Sequence, residues 1–440
     1  MGLKQKQQKL ELIAPAGNLE KMKTAFAFGA DAVYAGIPDF SLRVRINDFT
    51  DAKLKQAVEY ARKLDKKIFI TLNIFAHNRH IEKLPAYIKK LKKLKPDGLI
   101  ISDPGVLSAV KKNWPRANIH LSTQANCTNW QAAKFWHEQG VKRVILGREV
   151  AIDEIKEIHK KVPKLELESF VHGAMCMSYS GRCFLSKYLT DRSANLGDCV
   201  QPCRWEYKVK STKLKVESEK HFINPNGNNE YFELVEEEHG SYILNSRDLC
   251  LIKRLGELAD AGVSAFKIEG RAKSAYYIAN VVGIYSHVTH NMQHVTKSEI
   301  DFLYNELQEK LYHRGYTEGF TFGNGKMAQN LTESHKKCDW EFCGVVTRRN
   351  ANPPINANQR IANTASKSFS IYIKAHNSLR VGDEVEIVMP FYDIMKMKVE
   401  KMVDAKTGEE LKEAHGGQGK VVVIESDVKI SEFSVLRRRI

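Results

Sequence analysis

Short apolar runs alternate with segments of helical spacing through the first 270 or so residues. The runs are ELIAP at 11–15, DAVYAG at 31–36, KIFITLN at 67–73, GLIISD at 98–103, NIHLSTQ at 118–124, KRVILGR at 142–148, LELESFVHG at 165–173 and SAFKIEGR at 264–271. Short and bounded by polar or turn residues, they read as buried strands. Leu54, Ala57, Val58, Ala61 and Leu64 recur along one helix face, opened by the capping candidates Thr50 and Asp51, and Ile152, Ile155 and Ile158 repeat the pattern. Strands alternating with helices imply parallel pairing through right-handed crossovers. Eight of them favour closure into a (β/α)8 barrel over an open doubly wound sheet.

Such a barrel keeps its chemistry at the C-terminal ends of its strands. Those ends carry Pro15 and Gly17, Asn73, Asp103, Gln124, Arg148 with Glu149, His172, and Glu269 with Arg271. His172 and Glu269 are the candidate proton-transfer groups, and Arg148 and Arg271 are candidates for holding an anion, as is Arg43 earlier in the chain.

About 90 residues separate the seventh strand from the eighth, so an insertion spans about 174–262. Alternating stretches around NPNGNN predict a β-hairpin between Tyr207 and Leu244, and a helix is expected from about Ser246 to Ala261. Beyond the eighth strand, Ile300, Leu303, Leu307 and Leu311 mark another helix, and HRGYTEGFTFGNGKMAQN reads as a linker. From Glu341 the pattern turns to strands separated by turn residues, as in a small β-barrel. The expected division is a catalytic barrel over 1–325 and a C-terminal β-barrel domain over 338–440.

Four of the eight cysteines, Cys176, Cys183, Cys199 and Cys203, cluster in a 28-residue window of the insertion. Clustered thiols in a reducing compartment serve metal binding or catalysis more often than disulfides. Zinc and a [4Fe-4S] cluster both suit four thiolates. Pairs wider than the usual two-residue zinc spacing, at the mouth of an enzyme barrel, tilt the reading to iron and sulfur. Cys250 could replace one ligand. The CxxxCxxC pattern of radical S-adenosylmethionine enzymes is absent. Cys127, Cys338 and Cys343 read as buried hydrophobes.

Hydrophobic content of 43% and charged content of 27% exclude a disordered or fibrous chain. No apolar run reaches the roughly 18 residues of a membrane span, and the first residues lack a signal-peptide pattern, so a soluble cytoplasmic protein is expected. A net charge of +16 points to a polyanionic partner, nucleic acid first.

Glu168, Phe170, Gly173, Ala174, Cys176, Gly181, Cys183 and Ser186, in ELESFVHGAMCMSYSGRCFLS, resemble the signature of the collagenase-like peptidase family. The resemblance extends through ELIAPAGNLEKMKTAFAFGADAVYAG, FSLRVR, LSTQANCTN, GDCVQPCRWEY, NSRDLC, FKIEGRAKSAYY and HRGYTEGF, and is greatest to the family's tRNA-hydroxylating branch. It implies hydroxylation of the wobble uridine of tRNA to 5-hydroxyuridine with prephenate as co-substrate. It also implies a [4Fe-4S] cluster on Cys176, Cys183, Cys199 and Cys203, with Cys250 leaving the fourth ligand open. The competing readings are a peptidase, a hydroxylase of ribosomal RNA, and a non-enzymatic RNA-binding protein with a structural metal. No HExxH or GxSxG motif supports a peptidase.

Overall fold

A computed structural model describes residues 10–37, 40–41, 48–176, 178–196, 198–204, 222–223, 232–233, 245–323, 338–348, 369–417 and 419–440. Its first part is a closed ring of eight parallel strands. Seven come in order: β1 (Glu11–Ala16), β2 (Ala32–Gly36), β3 (Lys67–Leu72), β4 (Gly98–Ile101), β5 (Ile119–Leu121), β6 (Arg143–Ile145) and β7 (Glu166–Gly173). After a two-stranded ribbon of β8 (Phe222–Ile223) with β9 (Phe232–Glu233) and a short β10 (Asp248–Cys250), β11 (Val263–Ile268) closes the ring between β7 and β1.

The crossovers run through α1 (Leu19–Ala27), α2 (Asp51–Lys63), α3 (Asn78–Leu94), α4 (Pro104–Asn113), α5 (Trp130–Glu138) and α6 (Ile152–Lys161). Side-chain caps explain several starts: Asn18, Thr50, Asp103 and Asn129 each accept from a backbone N–H of the first turn. Asp103, expected among the strand-end site candidates, is therefore the cap of α4. The insertion carries α7 (Leu185–Thr190) and α8 (Leu255–Asp260). α9 (Ala275–His290) and α10 (Lys297–Lys310) follow β11.

Two expectations are corrected. The helix drawn over Ser246–Ala261 is a strand, a single 3-10 turn and the six-residue α8, because β10 pairs antiparallel with the end of β7 through Leu249↔Gly173 and Cys250↔His172. The start of the linker is packed structure. β12 (Tyr316–Thr317) pairs with β10, and Arg314, 1% exposed, reaches Asp248 at 2.6 Å. The hairpin expected at 207–244 lies outside the described residues except for β8 and β9.

The C-terminal region is antiparallel. Its strands are β13 (Trp340–Thr347), β14 (Phe369–Ala375), β15 (Ser378–Arg380), β16 (Glu384–Met389), β17 (Asp393–Lys398), β18 (Val403–Asp404), β19 (Glu413–His415), β20 (Val421–Ser426) and β21 (Val435–Arg439). Seven form one sheet in the order β17-β16-β21-β13-β14-β20-β18, and β15 pairs with β19. This region seats on α9, whose residues are almost all buried. Tyr276 stacks on Phe342 at 5.2 Å, and the fully buried Arg437 reaches Glu306 of α10 at 2.6 Å, Glu386 of β16 at 2.7 Å and Asn280 of α9 at 2.9 Å.

Removing one partner of a buried ion network strands the others. Arg437→Ala is expected to destabilise the protein by about 3–5 kcal/mol. Denaturant unfolding checks it: a loss under about 1 kcal/mol, the range of exposed ion pairs, would contradict the assigned contacts.

A candidate active site at the barrel mouth

A network of charges crosses the lower end of the barrel bore. Arg143 of β6 reaches Glu11 of β1 at 2.6 Å, Glu166 of β7 at 2.6 Å and Glu168 of β7 at 3.3 Å. Lys267 of β11 binds Glu168 at 2.6 Å, and Lys67 of β3 binds Glu11 at 2.7 Å. Burial works against the Arg143 charge, but the carboxylates, Glu168 first, hold it protonated. Burial also lowers the Lys267 pKa, with Glu168 opposing. His120, on β5, is driven well below its usual range by burial and then by Arg143, so it sits neutral beside the Phe69 ring at 4.6 Å.

Above this floor opens a cavity of about 670 Å³, within the range of small-molecule sites. Tyr34 and Phe170 supply its flat surfaces. The Lys267 ammonium lies 4.3 Å from the Tyr34 ring centre, and the Arg148 guanidinium lies 3.9 Å over Phe170. The Nε of Arg148 is buried with no hydrogen-bond partner among the described residues. The Tyr34 hydroxyl stands 3.1 Å from the Ile268 carbonyl and 3.3 Å from the Glu269 carboxylate. Elsewhere on the wall, Asn73 donates to Gln124 Oε1 at 3.1 Å, and Gln124 returns a bond to the Asn73 carbonyl at 2.7 Å.

The insertion forms the remaining wall and is pinned to the barrel at several points. Ser180 donates to Glu149 at 2.9 Å, and Arg182 donates to the Gln124 carbonyl at 3.3 Å. Gly181 has φ of +76° and packs so closely on Gln124 that a Cβ would overlap its Cγ. Farther along, Ser186 accepts from the Val200 N–H at 3.1 Å, and Arg192 binds Asp198 at 2.7 Å.

Cys176, Cys183, Cys199 and Cys203 all line this cavity, as do Glu269, Arg148 and Arg271. None of the eight cysteines forms a disulfide. The Gln201 N–H donates to Cys199 Sγ at 3.3 Å. The thiols share a wall but are not gathered into a ready-made site: among the described residues no three His, Cys, Asp or Glu side chains are close enough to hold a metal ion. The donor set suits a thiolate-bound group, and gathering it needs local movement.

Of the other expected residues, two are placed outside the cavity. Arg43 lies outside the described residues. His172 does not line the cavity. A register shift between β7 and β11 at Lys267/Ile268 accompanies its turn towards α9, where its ring lies 5.3 Å from Tyr285 and 5.4 Å from Tyr316. Burial pushes its pKa down to about 3, with Asp248 opposing, and Nδ1 meets the Tyr285 hydroxyl at 3.3 Å. Cys250 sits behind β7 beside the same hydroxyl at 3.6 Å, its thiol pushed up to about 11 by burial. Sequence reasoning passed over Tyr34 and Lys267. Their signal was parity: Lys267 precedes Glu269 by two, and both line the cavity.

The model of peptidase family U32 matches residues 17–330, and that of its C-terminal domain matches 339–437. The chain is 37% identical to "tRNA hydroxylation protein P" of Haemophilus influenzae, over 98% of this chain and 96% of that one. It is also 37% identical to "tRNA hydroxylation protein P" of Escherichia coli, over 90% of each chain. The "23S rRNA 5-hydroxycytidine C2501 synthase" of Escherichia coli is 33% identical over 71% of this chain and 45% of its own.

Gly181→Ala should loosen the cysteine wall from Gln124, at a cost of about 1–3 kcal/mol for the left-handed backbone; faster limited proteolysis within 174–204 is the expected readout. His172, neutral when folded, takes up a proton on unfolding near its ordinary pKa of about 6.5. Its depressed folded pKa means its contribution is complete above about pH 6.5 and is lost as pH falls towards about 3. The fall in Tm between pH 7 and pH 4 should be shallower in His172→Phe than in the parent protein.

Proposed function

This chain belongs to peptidase family U32, and from that premise we propose that it is an RNA-hydroxylating enzyme acting on tRNA rather than a peptidase. In the finer reading it converts the wobble uridine to 5-hydroxyuridine, takes prephenate as co-substrate, and carries a [4Fe-4S] cluster on Cys176, Cys183, Cys199 and Cys203. One observation carries the proposal: four thiols and a cationic wall share a single cavity at the catalytic end of the barrel. The relatives named for tRNA hydroxylation, matched over nearly the whole chain, support tRNA as the substrate class.

When bound, such a cluster would supply one-electron transfer or a Lewis-acidic iron. The protein's own groups do the rest. Arg148, whose Nε has no partner among the described residues, and Arg271 offer guanidinium forks to the carboxylates of a small dianionic acid. The Tyr34 hydroxyl and Glu269 carboxylate form a pair that can accept or return a proton at the cavity wall. Lys267 and the Tyr34 and Phe170 rings give a floor on which a planar ring can lie. A Cys176–His172 protease pair finds no support, because His172 packs against α9 outside the cavity.

Mass spectrometry of tRNA nucleosides from a strain lacking the gene tests the reaction. Hydroxylated wobble uridine should disappear, return with the intact gene, and stay absent with a soluble Cys176→Ala copy. An unchanged profile in a strain without a redundant hydroxylase rejects tRNA as the substrate. Anaerobically purified protein should contain iron and acid-labile sulfide in equal amounts; zinc alone would overturn the cluster. Cleavage of gelatin by the purified protein, lost in Cys176→Ser, would restore the peptidase reading.

A further inference from the structure

Three aromatic side chains stand out from the cavity rim into solvent. Tyr179 is 65% exposed, Phe184 is 74% exposed and Tyr188 is 85% exposed. Aromatic residues carry the largest apolar surfaces and are normally buried, so three exposed within ten residues of the segment that walls the cavity need a reason. Phe184 and Tyr188, four apart at the start of α7, share one side of that helix. Phe184 itself lines the cavity, while Tyr179, next to the lining Ser178, and Tyr188, one helical turn beyond Phe184, stand just outside it on the same segment.

Cations are interleaved with them. Arg182, Lys187 and Arg192 lie between residues 179 and 192, against the single acid Asp191. The cavity is cationic too, with Arg148, Arg182, Arg192, Lys267 and Arg271 on its walls against Asp198 and Glu269. A protein partner would call for a continuous apolar patch, whereas here Leu189 is the only exposed aliphatic side chain in α7. Separate aromatic faces with basic residues between them, at the edge of a cationic cavity, match unpaired RNA, whose bases stack and whose phosphates need positive charge.

We infer that Tyr179, Phe184 and Tyr188 form a stacking platform for the unpaired nucleotides flanking the target base of an RNA loop. This rests on the RNA-hydroxylation reading and extends it from the cavity to the rim. The platform explains how a cavity of about 670 Å³ can address one base of a large polyanion: flanking bases stack outside while the target base enters.

Fluorescence anisotropy of the full-length protein with a labelled, unpaired, uridine-containing oligoribonucleotide tests the inference, with the same strand in a duplex as control. The parent protein should prefer the unpaired strand. Phe184→Ala and Tyr188→Ala should each weaken it about five- to hundredfold, as expected for one lost base stack. Tyr188→Trp should retain binding and Tyr188→Leu should not, because stacking requires a ring. The salt dependence should stay close to that of the parent, since the phosphate contacts remain. The exposed positions should leave Tm unchanged. Alanine variants that bind as tightly as the parent, or a leucine variant as good as tyrosine, would overturn the platform while leaving RNA hydroxylation standing. Failure of the parent to bind any RNA would overturn both.

Discussion

The barrel is organised around Arg143. Its guanidinium lies in the bore, 6% exposed, and ties together carboxylates from β1 and β7, while Lys67 and Lys267 complete the network from β3 and β11. A buried ionic network of this kind is rarely more stabilising than apolar packing of the same volume, but a wrong partner is severely penalised. Register is therefore what the network specifies. Slipping β7 by one residue would turn Glu168 out of the bore and leave Lys267 and Arg143 short of a carboxylate in a site that excludes water. The seam between β7 and β11, where the ring closes, is the seam crossed by the Glu168–Lys267 bond.

The same seam sets the height of the site. With Lys267 fixed on Glu168, Phe170 and Tyr34 lie over the network, and Glu269 and Arg271 emerge two and four residues later at the mouth. On its other edge β7 pairs with β6 only as far as Glu168, which leaves the end of the strand for a second partner, and β10 takes it. One consequence is the environment of His172 and Cys250, held between β7, β10 and α9 under Tyr285 rather than facing the cavity. Another is that the insertion leaves the barrel at Gly173, whose φ of +112° and close approach to the Glu269 carbonyl leave no room for a Cβ.

Much of this was legible in the chain. The eight barrel strands stand out because parallel strands buried on both faces read as continuous apolar runs, and observed limits such as Glu11–Ala16 and Glu166–Gly173 fall within one or two residues of those runs. The cysteine wall was legible from clustering alone. β10 was not: its three residues have no period of their own and become a strand only because β7 offers an edge, so the apolar spacing around Leu249 and Leu251 reads as helix. The stretch after α10 reads as linker because its glycines and polar residues look solvated. Arg314 is instead buried by its bond to Asp248, a partner 66 residues away that no local pattern reveals. Lys267 was overlooked although its two-residue spacing from Glu269 puts both on the cavity side of the strand, because the carboxylate that pairs it, Glu168, lies 99 residues away.

The charge balance inside the barrel decides where an anion is held. Glu11 and Glu168 in the bore, with the half-exposed Glu166 at its lower end, face Arg143, Lys267 and the half-exposed Lys67, so the network is close to neutral and exerts little net pull on a charge above it. The field in the cavity then comes from its walls, where Arg148, Arg182, Arg192 and Arg271 outnumber Asp198 and Glu269. Low-dielectric walls concentrate such a field towards the opening. An acidic ligand is therefore drawn to the upper wall, between the guanidinium groups and the thiols, and the aromatic floor is left for the uncharged part of whatever enters. A neutral floor beneath a cationic wall orients a ligand as well as binding it, and that orientation follows from the network that fixes the register of the barrel.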